Sequence, residues 1–213
     1  MARKIKKILL LGPIASGKDT QANILARCYG LAMVAMGNLL REEVARKTKL
    51  GHKASACLAS GKLVPDELIF KIIKARLARF DCQRGFILDG FPRDLAQAKF
   101  LETLESPNCA IEIKLSDRHI LERITGRRIC LCGQSYHLKY NPPKIKNICD
   151  KCGKKLLIRS DDKTGIVKKR LKIFKKSINQ LRSFYRRQGI YRPINGNQPI
   201  AKVQADLRKL IGR

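Results

Sequence analysis

Acidic residues are scarce in this chain of 213 residues, because 17 Asp and Glu stand against 46 Lys and Arg and leave a formal net charge of +29. No acidic residue occurs between Asp162 and Asp206. Such a surface attracts polyanions, so nucleotides, nucleic acids and anionic membranes are all favoured partners, and the attraction weakens with salt. Charge alone does not choose among them, and lysines spread over solvated faces explain the excess without a dedicated nucleic-acid site.

Long apolar runs are also missing, since no stretch approaches the roughly 20 consecutive apolar residues that a membrane-spanning helix needs. The apolar residues 8–11 follow several lysines, but they are too few for a signal peptide, so we expect a cytoplasmic protein. Aromatic residues make up only 6% of the chain, and they form no pattern suited to stacking on single-stranded nucleic acid.

The strongest motif joins an apolar strand at 8–11 to a helix that follows Thr20, through the loop sequence GPIASGKDT at 12–20. This spacing, G-x-x-x-x-G-K, is typical of a phosphate loop, in which backbone N–H groups surround phosphate oxygens and Lys18 reaches the terminal phosphates. The position after the lysine normally holds Ser or Thr, but here it holds Asp19, and the hydroxyl follows at Thr20. We therefore predict a nucleotide site at this loop.

Apolar strands and amphipathic helices alternate along the rest of the chain, which predicts an α/β fold with a parallel sheet and helices on both faces. The predicted strands after the first are 31–35, 85–90, 110–115 and 191–195. Two of the predicted helices start at Gly37 and at Pro65, and five others cover 53–60, 95–104, 117–125, 164–188 and 200–211. At the carboxyl end of the second buried strand, Asp89 is a natural ligand for a Mg²⁺-bound water, since ligands gather at this edge of such sheets.

Cysteines fall into two groups. Four are scattered among apolar or helical neighbours and are typical of reduced, packed thiols: Cys28, Cys57, Cys82 and Cys109. The other four form two close pairs, each followed by a glycine as in a zinc ribbon: Cys130 with Cys132, and Cys149 with Cys152. They lie in a segment, 126–162, that is too small and polar for a core of its own, so we predict a structural Zn²⁺ there. The Cys130-x-Cys132 spacing is one residue tighter than usual, which leaves strained geometry or replacement of one ligand by His137 open.

Several further motifs stand in order behind the phosphate loop: GNLLR at 37–41, GKLV at 61–64, DGFPR at 89–93 and GRR at 126–128. Together with YH at 136–137, NPP at 141–143 and RSDD at 159–162, this series resembles the adenylate kinase family over essentially the whole chain. The resemblance implies a three-layer P-loop fold with a five-stranded parallel sheet. It also implies a core at 1–34, 65–125 and 163–213, a nucleoside-monophosphate-binding lobe at 35–64, and a lid at 126–162, in which Tyr136 and His137 pack together.

The resemblance further implies a monomeric enzyme that transfers a phosphoryl group reversibly from Mg²⁺-bound ATP to AMP, giving two ADP. The residues that it assigns to catalysis are Lys18, Arg93, Arg127, Arg159 and Arg170. Those assigned to ATP are Gly12, Ala15, Ser16, Gly17, Lys18, Asp19, Thr20, Arg123, Arg127, Ser135, Tyr136 and Gln198. Those assigned to AMP are Met36, Gly37, Arg41, Lys62, Leu63, Val64, Gly90, Phe91, Pro92, Arg93, Gln97, Arg159 and Arg170.

The sequence departs from the family pattern at four of these motif positions. Ala15 and Asp19 replace glycines of the phosphate loop, and Ala15 would be strained if its φ angle is positive. Met36 replaces a threonine and Asn38 an aspartate near the acceptor, so UMP, CMP or GMP is an alternative acceptor. A nucleic-acid-binding protein or an inactive scaffold on the same fold is the alternative from another class, supported by the charge of +29.

Overall fold

The computed structural model describes residues 7–60, 62–158 and 162–212. Its centre is a parallel sheet of five strands: β1 (Lys7–Leu11), β2 (Ala32–Ala35), β3 (Phe86–Asp89), β4 (Cys109–Lys114) and β7 (Tyr191–Asn195). The strand order is β2-β3-β1-β4-β7, and β1 pairs with β3 and with β4. The five-stranded parallel sheet expected from the sequence is therefore confirmed, with the strand that precedes the phosphate loop at its middle.

The alternation of side chains along β1 divides the core into two layers, since successive residues of a strand point to opposite faces. Leu9 and Leu11 belong to one buried cluster, together with residues of α4 (Asp66–Leu77), α5 (Leu95–Leu104) and α7 (Thr164–Arg187). Ile8 and Leu10 belong to the other, together with residues of α1 (Lys18–Tyr29) and α8 (Ile200–Ile211). A continuous apolar run in β1 is thus explained by helices on both faces of the sheet.

Two further helices, α2 (Met36–Ala45) and α3 (Lys49–Ser60), form a helical pair between β2 and α4. Helix α3 begins four residues before the predicted start at 53, because the Thr48 hydroxyl accepts a hydrogen bond from the Gly51 N–H at 2.9 Å and caps the first turn. The two helices approach closely at Gly51, where a Cβ atom would lie 2.1 Å from the Glu43 carbonyl oxygen.

After α6 (Asp117–Thr125) the chain leaves the sheet and forms a small antiparallel hairpin, β5 (Arg127–Ile129) and β6 (Ser135–His137). Isolated bridges extend this hairpin from Ile129 to Leu157 and from His137 to Asn141. Its buried residues are few: Cys130, Tyr136, Cys149 and Leu156. Among the residues that the structure describes, no helix has both the length and the hydrophobicity needed to cross a membrane.

The phosphate loop and the turn after β7 converge on the carboxyl end of β4. A Cβ atom at Gly12 would lie 2.6 Å from the Ile113 carbonyl oxygen, and one at Gly196 would lie 2.8 Å from the Lys114 carbonyl oxygen. The Gly196 N–H donates to that Lys114 oxygen at 2.8 Å. Only glycine permits both close approaches, which bring the two loops to one edge of the sheet.

Candidate active site

The phosphate loop curls because three of its residues have positive φ angles: 140° at Gly12, 59° at Ala15 and 89° at Gly17, which caps α1. Glycine adopts such angles freely, whereas alanine pays about 1 kcal/mol or more. The strain expected at Ala15 if its φ is positive is therefore present. Within the loop, the Lys18 ammonium donates to the Pro13 carbonyl oxygen at 2.8 Å and to the Ser16 hydroxyl at 3.3 Å.

Three charged side chains meet beside the loop: Lys18, Asp19 and Asp89. Asp89 ends β3, its side chain is buried, and its carboxyl group interacts electrostatically with that of Asp19. Burial and the Asp19 charge raise the pKa of Asp89 well above its usual value, with Lys18 and Arg93 acting in the opposite direction. Burial lowers the pKa of Lys18, and the two carboxylates partly offset this effect.

On one side of the loop, Arg123 is fixed by backbone oxygens. It donates to the Gly196 carbonyl oxygen at 2.8 Å and to the Ser16 carbonyl oxygen at 3.4 Å. Its guanidinium carbon lies 5.5 Å from the centre of the Tyr140 ring, a cation–π distance, and the Tyr140 hydroxyl donates to Glu122 at 2.7 Å. Arg123 therefore links the loop, the turn at Gly196 and the hairpin segment.

Two more arginines line the cleft, Arg41 on α2 and Arg93 in the segment after β3. Arg41 donates to the Asn38 side-chain oxygen at 2.5 Å, and the Arg93 Nε–H donates to the Gly90 carbonyl oxygen at 2.9 Å. Gln97 is buried and holds this segment: its side-chain oxygen accepts from the Arg93 N–H at 2.9 Å, and its amide donates to Asp66 at 2.8 Å. One of the two amide protons of Gln97 is thus committed to the protein.

The hairpin presents Arg127 to the same cleft. Its Nε–H donates to Asp162 at 2.8 Å, and a second guanidinium nitrogen bonds the other carboxylate oxygen, which makes a two-pronged ion pair. The Asp162 side chain is almost fully buried, so this pair fixes the direction of the guanidinium group. Arg170 on α7 lines the cleft as well, whereas Arg159 lies outside the described residues.

One cleft of about 650 Å³ collects most of the predicted site residues. Those that line it are Gly12, Ala15, Ser16, Gly17, Lys18, Asp19, Thr20, Gly37, Arg41, Leu63, Asp89, Gly90, Pro92, Arg93, Arg123, Arg127, Ser135, Tyr136, Arg170 and Gln198. Those outside its lining are Met36, Lys62, Val64, Phe91 and Gln97. The cleft is also lined by Asn38, Tyr140 and Asn141, which the sequence analysis did not assign to ATP or AMP. Asn38 and Asn141 belong to motifs, but a motif does not show which of its side chains reach the cleft.

The four hairpin cysteines come together, with all Sγ atoms within 4.8 Å of one another. The Cys130 and Cys152 sulfurs are 3.3 Å apart, and the Cys132 and Cys149 sulfurs are 3.6 Å apart. The tight Cys130-x-Cys132 spacing therefore brings both thiols into the cluster. Burial raises the pKa of Cys149, but hydrogen bonds from the Tyr136 hydroxyl and from backbone N–H groups outweigh it and lower the pKa to about 6.

His137 does not join that cluster. Its Nδ1 atom accepts hydrogen bonds from the Lys139 N–H at 3.0 Å and the Tyr140 N–H at 3.1 Å, and its ring covers Gly126. Replacement of a cysteine by His137 as metal ligand has no support in this geometry. The histidine instead holds the turn that carries Tyr140.

A phosphate loop at the centre of a parallel sheet, an aspartate at the end of the neighbouring strand and a ring of arginines define a P-loop phosphotransferase of nucleotides. Comparison with known sequences gives the family. Residues 10–190 match the sequence model described as "Adenylate kinase". The adenylate kinase of Clostridium acetobutylicum is 40% identical over 212 residues, which cover 97% of this chain and 99% of the relative.

Two other relatives agree. The adenylate kinase of Clostridium botulinum is 41% identical over 213 residues with the same coverage, and that of Caldanaerobacter subterraneus is 41% identical over 211 residues, 96% of each chain. The chain therefore belongs to the adenylate kinase family. Its function is that of an adenylate kinase, an enzyme that transfers a phosphoryl group to a phosphate acceptor.

Proposed function

We propose that the cleft transfers the terminal phosphoryl group of Mg²⁺-bound ATP to AMP reversibly, with ATP on the phosphate loop and the AMP phosphate between Arg41 and Arg93. The observation that carries this assignment is that one cleft is lined both by the loop 12–20 and by these two arginines. Lys18 belongs to the loop, and its ammonium group interacts electrostatically with Asp89 and Arg93. A donor phosphate and an acceptor phosphate would therefore face each other across the cleft.

The chemistry needs no protein general base, because the acceptor oxygen belongs to a phosphate that is already ionised at neutral pH. Catalysis then depends on alignment of the two phosphates and on cancellation of their negative charge. Lys18, Arg93, Arg127, Arg159 and Arg170 are the residues that we assign to these tasks. Forked guanidinium groups suit phosphate oxygens better than an ammonium does, because they donate two parallel hydrogen bonds.

A Mg²⁺ ion fits beside Asp89. The Asp89 Oδ1 atom is buried without a hydrogen-bond partner among the described residues, and an acceptor left in this way suits a cation or its bound water. The ion would neutralise charge on the transferring phosphoryl group. Asp89 would hold and orient it at the carboxyl end of β3.

A Zn²⁺ ion fits the four hairpin thiols. In a tetrahedral site with Zn–S bonds of about 2.3 Å, the sulfur atoms lie about 3.8 Å apart. The observed separations of 3.3 and 3.6 Å and the limit of 4.8 Å for all six pairs agree with that arrangement. We infer a structural role, since four protein thiols leave no position for substrate.

The lobe boundaries predicted from the sequence carry over to this proposal. The helical pair within 35–64 would close over AMP, and the hairpin within 126–162 would close over ATP, which excludes water as a competing acceptor. Seven of the AMP assignments, among them Arg41 and Arg93, line the cleft already, whereas Met36 and Gln97 do not. We further propose a monomeric, cytoplasmic enzyme. None of the eight cysteines, all of which lie in the described residues, forms a disulfide, which supports a reducing compartment. Size-exclusion chromatography with light scattering tests the monomer.

The test is a coupled assay of ADP formation from ATP and AMP, with UMP, CMP and GMP as parallel acceptors. Lys18→Ala should lower kcat by about 10²-fold or more, as loss of a charge that stabilises the transition state does. Lys209→Ala removes an exposed lysine of α8 and is the matched control. Turnover that is faster with UMP, CMP or GMP than with AMP would contradict AMP as the acceptor.

A further inference from the structure

The residue after the phosphate-loop lysine has a defined place in P-loop proteins. Its side chain normally supplies a hydroxyl ligand to Mg²⁺, and an aspartate from a neighbouring strand supplies the second protein group. In this chain the first position is Asp19, in the first turn of α1, and Asp89 ends β3 beside β1. A carboxylate thus stands where P-loop proteins in general carry a neutral hydroxyl and where the adenylate kinase pattern has a glycine, and the hydroxyl of this chain follows at Thr20.

Asp19 and Asp89 both line the cleft beside Lys18, and Asp89 responds to the charge of Asp19. Two neighbouring carboxylates repel each other, and a divalent cation bound by both removes this repulsion.

A second observation points to a ligand at the same place. The Asp89 side chain is only 5% exposed, yet its Oδ1 atom has no hydrogen-bond partner within the described parts of the chain. Buried carboxylate oxygens are rarely left unsatisfied, and carboxylates are the ligands that Mg²⁺ prefers in proteins. The unsatisfied oxygen belongs to a side chain that lines the cleft next to Asp19.

We propose that Asp19 and Asp89 together form a divalent-cation site that binds Mg²⁺ through carboxylate oxygens of both residues. Asp19 then makes the affinity for ATP depend more steeply on the concentration of the cation. Without the cation, two carboxylates oppose the triphosphate, whereas with the cation they hold it and the phosphates together. The inference rests on the proposed function for the identity of the nucleotide, but cation binding to the nucleotide-free protein does not depend on it.

The experiment uses Mn²⁺ alone as the probe, measured by electron paramagnetic resonance on the nucleotide-free protein. Wild type should bind one Mn²⁺, and Asp19→Asn should weaken this binding by about tenfold or more, the range that loss of supporting groups costs at metal sites. Glu67→Gln is the matched control, since Glu67 is an exposed acid in the first turn of another helix. It should leave the Mn²⁺ affinity unchanged.

A second measurement separates the cation site from simple damage to the fold. Isothermal titration with ATP in the presence of a chelator should show tighter binding to Asp19→Asn than to wild type, because one repelling charge is gone. A misfolded variant would instead bind both Mn²⁺ and ATP more weakly, and circular dichroism identifies it. Asp89→Asn is then the second variant, and it should weaken Mn²⁺ binding in the same way.

Two results would overturn the proposal: absence of Mn²⁺ binding to nucleotide-free wild type, or equal Mn²⁺ affinity of wild type and Asp19→Asn. The outcome is independent of the catalytic assignment. A protein that binds Mn²⁺ through Asp19 but forms no ADP would contradict the proposed function and leave the cation site intact.

Discussion

Removal of the proposed Zn²⁺ from the cysteine cluster is the perturbation with the largest expected effect on the hairpin lobe. In the described part of the lobe, the buried apolar side chains besides Cys130 and Cys149 are Tyr136 and Leu156. Burial of such side chains contributes about 1.5–3 kcal/mol each, whereas structural zinc sites have apparent binding free energies of about 10–16 kcal/mol. A zinc ion at this cluster would therefore contribute more than the apolar core of the lobe, and we expect the lobe to unfold locally when the ion is removed.

The parallel sheet should remain folded in that state, because its two apolar clusters do not include the cysteines. Loss of the lobe would release Arg127 from its place over the cleft, and removal of one such stabilising group costs about 10²–10³-fold in kcat. Cys149→Ser, or treatment of wild type with a chelator, should therefore abolish most activity and make 126–158 sensitive to protease. The unfolding transition of the core should change far less.

The assay combines metal content per chain, limited proteolysis followed by mass spectrometry, and the ADP assay. Cys28→Ser is the control, since Cys28 is an exposed cysteine of α1 outside the cluster. Wild type should carry one zinc ion per chain, and Cys28→Ser should match it. Wild type purified without added zinc that contains none, and whose protease pattern and melting are unchanged by chelator, would refute the reasoning.

Three further predictions concern single side chains. Glu112→Gln should destabilise the fold by about 3 kcal/mol, because Arg182 donates to both oxygens of the buried carboxylate. Burial raises the pKa of Glu112, but the bonds from Arg182 outweigh it and hold the pKa below its usual value, so this stabilisation is complete above about pH 4.5 and is lost as the pH falls. Urea unfolding should show that the difference in the free energy of unfolding between wild type and Glu112→Gln is smaller at pH 3 than at pH 7. An equal difference at the two pH values would contradict this prediction. Ala15→Gly should stabilise the protein by about 0.5–1 kcal/mol in the same assay, since it relieves a φ of 59°, and a destabilised variant would argue against strain there. Gly126→Ala should destabilise the hairpin by about 1–3 kcal/mol, because the added Cβ would lie 2.5 Å from the His137 ring. Gly165→Ala is the control, since no atom lies within 4 Å of its added Cβ, and it should leave stability unchanged or raise it. Hydrogen exchange measures both local stabilities.

The sheet was predictable because apolar runs and glycine stops are local signals. The runs in β1, β3 and β4 predict buried parallel strands without any knowledge of their neighbours, and the structure gives nearly the predicted ends. The start of α3 was predicted too late in the sequence, because Gly51 disfavours a helix and lies inside its first turn. The helix begins before Gly51 because the Thr48 side chain caps it through a hydrogen bond.

The residues that line the cleft could be named from the sequence, but their pairings could not. Motif spacing predicted Lys18 and Asp89, the family resemblance predicted Arg127, and all three line the cleft. The interaction between Asp19 and Asp89, and the ion pair between Arg127 and Asp162, join residues at least 35 positions apart in the sequence. Such interactions depend on side-chain rotamers and on the packing of separate elements, which no local pattern encodes.

The pairings show how a protein with a charge of +29 keeps a cluster of cations in one cleft without nucleotide. Each of four cations that we assign to phosphate binding already donates to a protein oxygen: Lys18 to Pro13, Arg93 to Gly90, Arg123 to Gly196 and Arg127 to Asp162. Three of these acceptors are neutral carbonyl oxygens, which orient the donors without cancelling their charge. Phosphate oxygens then replace weaker acceptors at groups that already point into the cleft, so little reorganisation accompanies binding. Arg127 differs, because its partner is a carboxylate. A phosphate must compete with the Asp162 carboxylate for the Arg127 guanidinium group. The free energy that Arg127 contributes to phosphoryl transfer is therefore the difference between its interactions with phosphate and with Asp162. Asp162 makes this difference smaller, although it fixes the direction of the guanidinium group.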